Sequence, residues 1–325
     1  MQINIYIEYL IIEILIINLM QIKKVLAVFI CTLSFTVSTQ VFAQSQVKSS
    51  AEGAANSSIS KATSAGTAIT KDFLSTLFPT VEVGVSSGLS NSVTGGILVV
   101  APLSDPKNIY NTTFMQGSVF LTHEDRDRQT VNIGIGHRIL RIDNKLLLGA
   151  NVFYDQEFPY DHKRGGIGFE ARSSVAELNA NKYYRISTWN AGYNGIQEKA
   201  LGGHDIELGV PLPYMNWAKV YAKRFKWEGD TTASDIQGDD LSLRANLPFG
   251  LSVEGGRRNF STNGNSDENF VRLTWNSNPP TDEKPLTISN EAYTLTSMEG
   301  HRYDKVRREN IIQKQRSGKF KVTGF

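Results

Sequence analysis

The chain has 325 residues, 27 glycines, 10% aromatic residues and a formal net charge of +2. So small a charge gives no support for a nucleic-acid partner. The only cysteine, Cys31, lies in an apolar N-terminal run, so neither disulfides nor thiol chemistry are expected of the chain that follows.

Residues 1–43 are expected to contain a secretory leader. Met20–Lys24 is a short basic start, Val25–Val37 an apolar run, and Val41-Phe42-Ala43 a small-x-Ala cleavage site, placing the cut between Ala43 and Gln44. The preceding MQINIYIEYLIIEILIINL carries Glu8 and Glu13 and no positive side chain. It is either upstream translation, with Met20 as the true start, or a second hydrophobic segment. Ile30 before Cys31 does not match a lipoprotein cleavage site. Residues 44–70, led by the Ser/Ala/Gly/Gln-rich Gln44–Ser64, have no periodicity and are expected to be a flexible periplasmic linker. A short helix with Phe73, Leu74, Leu77 and Phe78 on one side is expected over Asp72–Phe78, ended by Pro79.

Residues 71–280 contain twelve strand candidates: Val81–Leu89, Val93–Leu103, Thr112–Thr122, Gln129–Ile139, Lys145–Asp155, Gly165–Arg172, Val175–Ser187, His204–Leu212, Trp217–Trp227, Leu241–Pro248, Leu251–Phe260 and Glu268–Asn276. The hairpin of the fourth and fifth has the clearest pattern. Val131, Ile133, Ile135 and Ile139 alternate with Thr130, Asn132, Gly134, Gly136 and Arg138; after a turn at Arg141–Asn144, Leu146, Leu148, Ala150, Val152 and Tyr154 alternate with Gly149, Asn151 and Asp155. This is period 2, and runs of about ten residues suit tilted strands crossing hydrocarbon. The polar face, small and hydrophilic, suits the inside of a wide barrel. The second and third candidates are apolar on both faces, which leaves their facing open.

With both ends of the barrel on one side, alternate connections are short turns (141–144, 173–174, 213–216, 249–250), with 104–111 longer, and the others are mostly longer loops (123–128, 159–164, 188–203, 228–240, 261–267). Outer-membrane barrels share this asymmetry. Tyr154, Phe158, Tyr183, Tyr184, Trp189, Tyr214, Trp217, Trp227 and Trp275 cluster near strand ends, where interface girdles are expected. The expected fold class is all-β, a transmembrane antiparallel barrel of about twelve strands. Its lumen is expected to carry Asn132, Gly134, Gly136, Gly149, Asn151, Glu170, Arg172 and Arg244, with Asp205, Glu207, Glu254 and Arg272 adding charge.

Asn278-Pro279-Pro280 ends the sheet, and residues 281–325 form a polar, basic tail. On composition this is either a solvated tail or a plug pairing with lumen charges. No catalytic, cofactor or metal site emerges. His123-Glu124-Asp125 with Asp127 is expected to be a charged turn, and His137 an interface residue. His162, His204 and His301 lack partners at ligand spacing, and Asp239-Asp240 is expected in a loop. Gly202-Gly203 and Gly255-Gly256 lack what a phosphate cradle needs.

Several segments resemble the β-domain of inverse autotransporters, the intimin and invasin family of outer-membrane adhesins. They are DFLSTLFPTVEVGV, GHRIL with LLGANVFYDQEF and RGGIGFEAR, GHDIELGVPLPYMNWAKVYAKRFKWEGD, VEGGRRNF and HRYDKVRRENII. The resemblance implies residence in the outer membrane of a Gram-negative bacterium with a periplasmic N-terminus, and an export and anchoring role without enzymatic activity. It implies membrane lipid, the barrel-assembly machinery and periplasmic chaperones as partners, and a host or bacterial surface ligand only if a passenger exists. It also implies that the tail returns through the pore as a helix and linker, to which Arg302, Tyr303, Asp304, Val306, Arg308 and Asn310 would belong. No LysM-like module fits residues 44–69, and no passenger follows Phe325. A truncated relative, a separately encoded barrel and a fragment all fit that departure. A diffusion porin and an outer-membrane hydrolase are the rival expectations.

Overall fold

The computed structural model describes residues 78–88, 93–123, 127–230, 234–262 and 266–317. The expected leader, the expected Ala43–Gln44 cleavage site, the expected linker and most of the expected Asp72–Phe78 helix lie outside the described residues.

Twelve antiparallel strands close into a barrel. They are β1 (Thr80–Gly88), β2 (Val93–Pro102), β3 (Asn111–His123), β4 (Asp127–Arg141), β5 (Leu146–Phe158), β6 (His162–Ser173), β7 (Ala176–Arg185), β10 (Gly202–Leu212), β11 (Met215–Glu228), β12 (Ile236–Asn246), β13 (Leu251–Phe260) and β14 (Glu268–Asn276). Each pairs with its neighbours in the chain, and β1 closes the ring on β14 with Glu82 opposite Asn276 and Gly88 opposite Phe270. A three-stranded sheet, order β15-β9-β8, sits apart; its strands are β8 (Asn190–Ala191), β9 (Gln197–Ala200) and β15 (Lys314–Arg316). Among the described residues no helix is long and apolar enough to cross a membrane, so any crossing by these residues is made by strands.

The alternation predicted for the central hairpin is present. In β4, Arg128, Thr130, Asn132, Gly134, Gly136 and Arg138 are buried toward the lumen, while Ile133 and Ile135 stay exposed outside. Val152, Tyr154, Ile167, Phe169, Leu178, Ile206, Leu208, Leu241, Leu243 and Val271 continue that outer apolar surface around the barrel. In water such a surface would be untenable; against lipid it is the expected one. The double apolarity of β2 and β3 has a direct cause. Leu98, Val100 and Phe114 pack inward with Phe153 and Val306, while Val99, Ala101 and Met115 form a separate cluster with Val81 and Phe78.

Several boundaries and orientations differ from the sequence expectation. Strands run past the expected ends at the loop end of the barrel, so the connections 124–126 and 159–161 are only three residues each. Asp239 and Asp240 lie within β12, not in a loop; Asp240 turns inward to Arg258 at 2.7 Å. Tyr183 and Trp227 are not girdle residues. They face inward and, with Leu201, Phe225 and Ile236, form an apolar cluster that narrows the lumen near the loops. Polar residues on the opposite parity could not have supplied that packing. Tyr154, Phe158, Tyr184 and Tyr214 are exposed on the outside.

The tail re-enters the barrel. Residues 282–298 strap the turn end: Asn216 donates to Asp282 O (2.8 Å), Tyr214 and Ala292 share a backbone bond (3.0 Å), and Met298 N donates to Asn144 O (2.7 Å). After a single 3-10 turn at Glu299–His301 the chain runs extended up the lumen to β15 at the loop end. The helix expected here is absent among the described residues, because lumen side chains take the backbone groups that a helix would have paired with one another.

Candidate functional site

The lumen wall and the tail form one continuous interface. Arg138 bonds Glu170 (Nε–Oε1, 2.6 Å) and donates Nη1 to the carbonyls of Arg302 (2.9 Å) and Asp304 (2.6 Å). Thr80 donates its hydroxyl to Tyr303 O (2.8 Å), and Gln116 accepts from Val306 N (2.8 Å). Asn181 donates to Arg307 O (3.1 Å), Asn132 to Asn310 O (2.9 Å), and Arg164 to Glu309 O (2.7 Å). Tyr183 accepts from Glu309 N (2.7 Å) while donating to Asp205 (2.7 Å). Backbone groups of Arg302, Tyr303, Asp304, Val306, Arg307, Glu309 and Asn310 thereby find partners on the wall, as the cost of burying unpaired amides favours.

Charges pair in parallel. Asp304 meets Arg172 at 2.7 Å, Arg307 meets Glu207 at 2.9 Å, and Lys305 bonds Glu82. Asp155 is the centre: it receives Arg308 at 2.7 and 2.8 Å, Arg164 at 2.9 Å and Asn132 at 2.8 Å, and is itself fully buried.

The expected lumen residues Asn132, Gly134, Gly136, Gly149, Asn151, Glu170, Arg172 and Arg244 all lie on inward-facing positions, but the glycines do not simply leave room for the tail. Each faces a large side chain on the adjacent strand. A Cβ on Gly134 would come within 2.4 Å of the Phe153 ring, on Gly136 within 2.3 Å of Phe114, and on Gly149 within 2.4 Å of the Glu170 carboxylate. Gly134 is directly opposite Phe153, and Gly136 directly opposite Phe114. The same cross-strand pairing joins Gly209 to Tyr221, Gly238 to Phe225 and Gly256 to Phe270. The ring lies flat over the glycine, and its other face receives a guanidinium. Arg308 sits 4.2 Å from Phe153, Arg307 3.8 Å from Tyr221, and Arg138 4.4 Å from Phe114. Glycine, ring and arginine therefore stack in layers, with cation–π attraction strengthened by exclusion from water. Replacing Gly134 by valine is expected to lower the unfolding temperature, with an overpacking cost of about 1–3 kcal/mol. The additional change Phe153→Ala should recover part of that loss. Heat-dependent gel migration measures both, and no recovery in the double variant would argue against the stack.

Of the tail residues, Arg308, Asp304, Val306 and Asn310 meet the wall as described. Arg302 stays near the mouth, where Nη1 reaches Pro106 O at 3.3 Å, and its guanidinium lies 5.4 Å from the Tyr303 ring. Residues to which the sequence assigns no role matter as much. Arg128, Glu157, His162 and Glu198 gather near the loops with Lys314 and Arg316. Arg128, Glu157 and His162 lie just beyond the expected bounds of β4, β5 and β6, and the four residues of β9 carry no periodic signal. His162 thus has the carboxylate partners its sequence spacing hid: its ring and the carboxylates of Glu157 and Glu198 offer ligand atoms within 4.8 Å of one another. Arg128 at 2.8 Å, Lys314 at 2.5 Å and Arg316 at 2.9 Å already supply cations to those carboxylates. His123, by contrast, meets Asp127 at 2.6 Å in an exposed pair.

His301 closes the turn-end mouth, outside the spanning strands. Its ring bonds Asp304 through Nδ1 (2.8 Å) and Asp282 through Nε2 (3.0 Å). Burial opposes its charged form and Arg172 adds repulsion, yet Asp304 and Asp282 outweigh both and raise its pKa to about 9. Burial also works against the Asp282 carboxylate, but its bond to His301 holds it below the usual range. The folded pKa of His301 is raised, so its contribution is complete below 6.5 and is lost as pH rises through about 9. The Asp282 contribution is lost only as pH falls through its depressed pKa. A spin label at Glu299 should therefore be immobile at pH 6 and mobile by pH 10, and His301→Gln should remove that transition.

A family model described as inverse autotransporter, beta-domain, matches residues 33–310. The inverse autotransporter adhesin YeeJ of Escherichia coli (strain K12) is 28% identical over 204 residues, covering 58% of this chain and 8% of that protein. Intimin of Citrobacter freundii is 34% identical over 139 residues, covering 42% of this chain and 14% of that protein. The chain thus spans a small part of the length of these relatives. A solved chain from work on in-meso crystallization of membrane proteins is 26% identical and superposes with a TM-score of 0.60, covering 73% of this chain and 99% of that one.

Proposed function

The chain belongs to the inverse autotransporter β-domain family, and from that premise we propose that it exports polypeptide through its own lumen and then anchors it at the cell surface. It is an outer-membrane β-barrel of the intimin and invasin adhesin family. The observation that carries the export reading is the course of the tail. The chain leaves the last strand at the turn end, straps that end, and traverses the whole lumen to the loop end. In this reading the turn end faces the periplasm and the loop end the exterior. Lumen side chains bond the traversing backbone without requiring it to fold, which suits a passage for extended chain. The barrel does the anchoring, since its closed sheet leaves no unpaired edge in lipid. What the exported part would bind belongs to sequence beyond the barrel in the relatives.

The test is topological. An epitope inserted after Ser317 should be labelled on intact cells, while one in the turn at Tyr214 should be labelled only after the outer membrane is permeabilised. Labelling in the opposite pattern would refute the orientation and with it the export reading.

A further inference from the structure

β9 has one neighbour in the loop, β8, and its other edge is taken by the tail. Lys314, Gln315 and Arg316 lie opposite Ala200, Lys199 and Glu198. Leu201 N donates to Gln313 O (2.8 Å) and Ser317 N to Gln197 O (2.9 Å). In an antiparallel ladder hydrogen-bonded pairs recur at every second residue, so Gln315 and Lys199 form the hydrogen-bonded pair between these two. Successive side chains of a strand point to opposite sides. Lys314 and Arg316 therefore share a side and enter one buried carboxylate pocket: Lys314 Nζ lies 2.5 Å from Glu157, and Arg316 Nε lies 2.9 Å from Glu198. Gln315 points away and accepts from Asp230 N at 3.0 Å. Glu157, Glu198, Arg128 and His162 are all buried, so the pocket is a built site within the barrel wall and loop.

We infer that the edge of β9, with Glu157 and Glu198, is a peptide-binding site for an extended segment carrying basic residues at positions i and i+2, occupied in this chain by residues 314–316. Edge-strand addition supplies affinity through the backbone, and alternate side-chain pockets supply selectivity. Arg128 bridges the two carboxylates, at 2.8 Å from each. It offsets one of their two charges and His162 Nε2 lies 3.3 Å from Glu198, while Lys314 and Arg316 each bring a further cation, one to each carboxylate. The lumen contacts below read particular tail residues one at a time. This site instead sets the register at which the extended chain stops, wherever a basic-x-basic segment arrives. The inference goes beyond the export reading, which the epitope experiment tests separately.

The experiment uses the full-length barrel in detergent with a spin label at Ser317. Gln315→Pro removes the amide hydrogen at the hydrogen-bonded position, whereas Gln315→Ala keeps it. The label should be immobile in the parent and in Gln315→Ala, and mobile in Gln315→Pro, with heat-dependent gel migration unchanged in all three. A fluorescent peptide with the sequence of residues 311–317 should then bind the Gln315→Pro barrel and not the parent, whose site is filled. The same peptide with alanine for both basic residues should bind about tenfold or more weakly, as loss of hydrogen bonds to charged partners predicts. An immobile label in Gln315→Pro, or a mobile one in Gln315→Ala, would overturn the backbone clamp. Equal binding of the two peptides would overturn the selectivity.

Discussion

Asp155→Ala is expected to be the most damaging single substitution in the lumen, lowering stability by about 3–5 kcal/mol because it leaves buried guanidinium groups without their counter-charge. Arg164 and Arg308 both bond this carboxylate, Arg164 is fully buried and Arg308 nearly so. Neither has a second carboxylate bonded among the described contacts. Arg164 would keep its donations to Glu309 O and Ile311 O, and Arg308 its place over Phe153, but repulsion between the two would go unanswered. Arg308→Ala provides the contrast. It leaves Asp155 bonded to Arg164 and Asn132, so its cost is expected near the ~1.5–3 kcal/mol of hydrogen bonds to a charged group. The unfolding temperatures of the two variants, read from heat-dependent gel migration, should fall in that order. Equal losses, or a smaller loss for Asp155→Ala, would mean that water reaches the site and that the lumen is less dry than its packing indicates.

The second large effect concerns conductance. Removing residues 302–325 is expected to turn a barrel that passes almost no ions into an open channel. The tail occupies the centre of the lumen. Beside it lie a cavity of about 150 Å3 against β1, β2 and β14, with Glu254, Arg244 and Arg272 on its wall, and a second of about 90 Å3 toward the turn end, lined by Glu177, Lys219, Asp304 and Lys305. Such cavities admit clusters of water, far from a continuous wide channel. A diffusion porin would behave otherwise, conducting steadily with the tail present. Planar-bilayer recordings of the two forms distinguish them. Steady conductance in the full chain would remove the plug from the account, and silence in the shortened form would show that loops or the strap close the barrel by themselves.

Much of the architecture can be read from residues alone because the physical signal is local. Strand side chains alternate, lipid selects one apolar face, and water or a polar plug selects the other. Ile133 and Ile135 against Asn132 and Gly134 state that in four residues. All twelve barrel strands fall where this alternation and the turn residues put them, within three residues at either end except the start of β12, which lies five residues before the expected Leu241. The ends moved because strands project beyond the hydrocarbon, where the outer face no longer needs to be apolar and the pattern fades. Arg128, Glu157 and His162 were hidden in that faded region. Tyr183 and Trp227 misled for a related reason: an aromatic near a strand end suits both a membrane interface and a packed lumen cap, and only the parity of the built sheet decides.

By itself, then, the amino-acid sequence determined the closed antiparallel sheet, the inward set of small and charged residues, and a tail with charge to match. It could not determine which inward residue meets which. Gly134 and Phe153 are separated by a hairpin, Asp155 and Arg308 by most of the second half of the chain, and Lys314 reaches Glu157 only after the tail has crossed the barrel. Cross-strand register placed each ring over its glycine. The traversing tail then placed an arginine on the other face of two of those rings. The extended form of the tail was likewise a tertiary decision. A segment such as RYDKVRREN carries no local instruction against a helix. Inside the lumen, Arg138, Asn132, Asn181 and Arg164 bond carbonyls that a helix would have paired within itself, so the wall offers the extended chain an alternative set of partners.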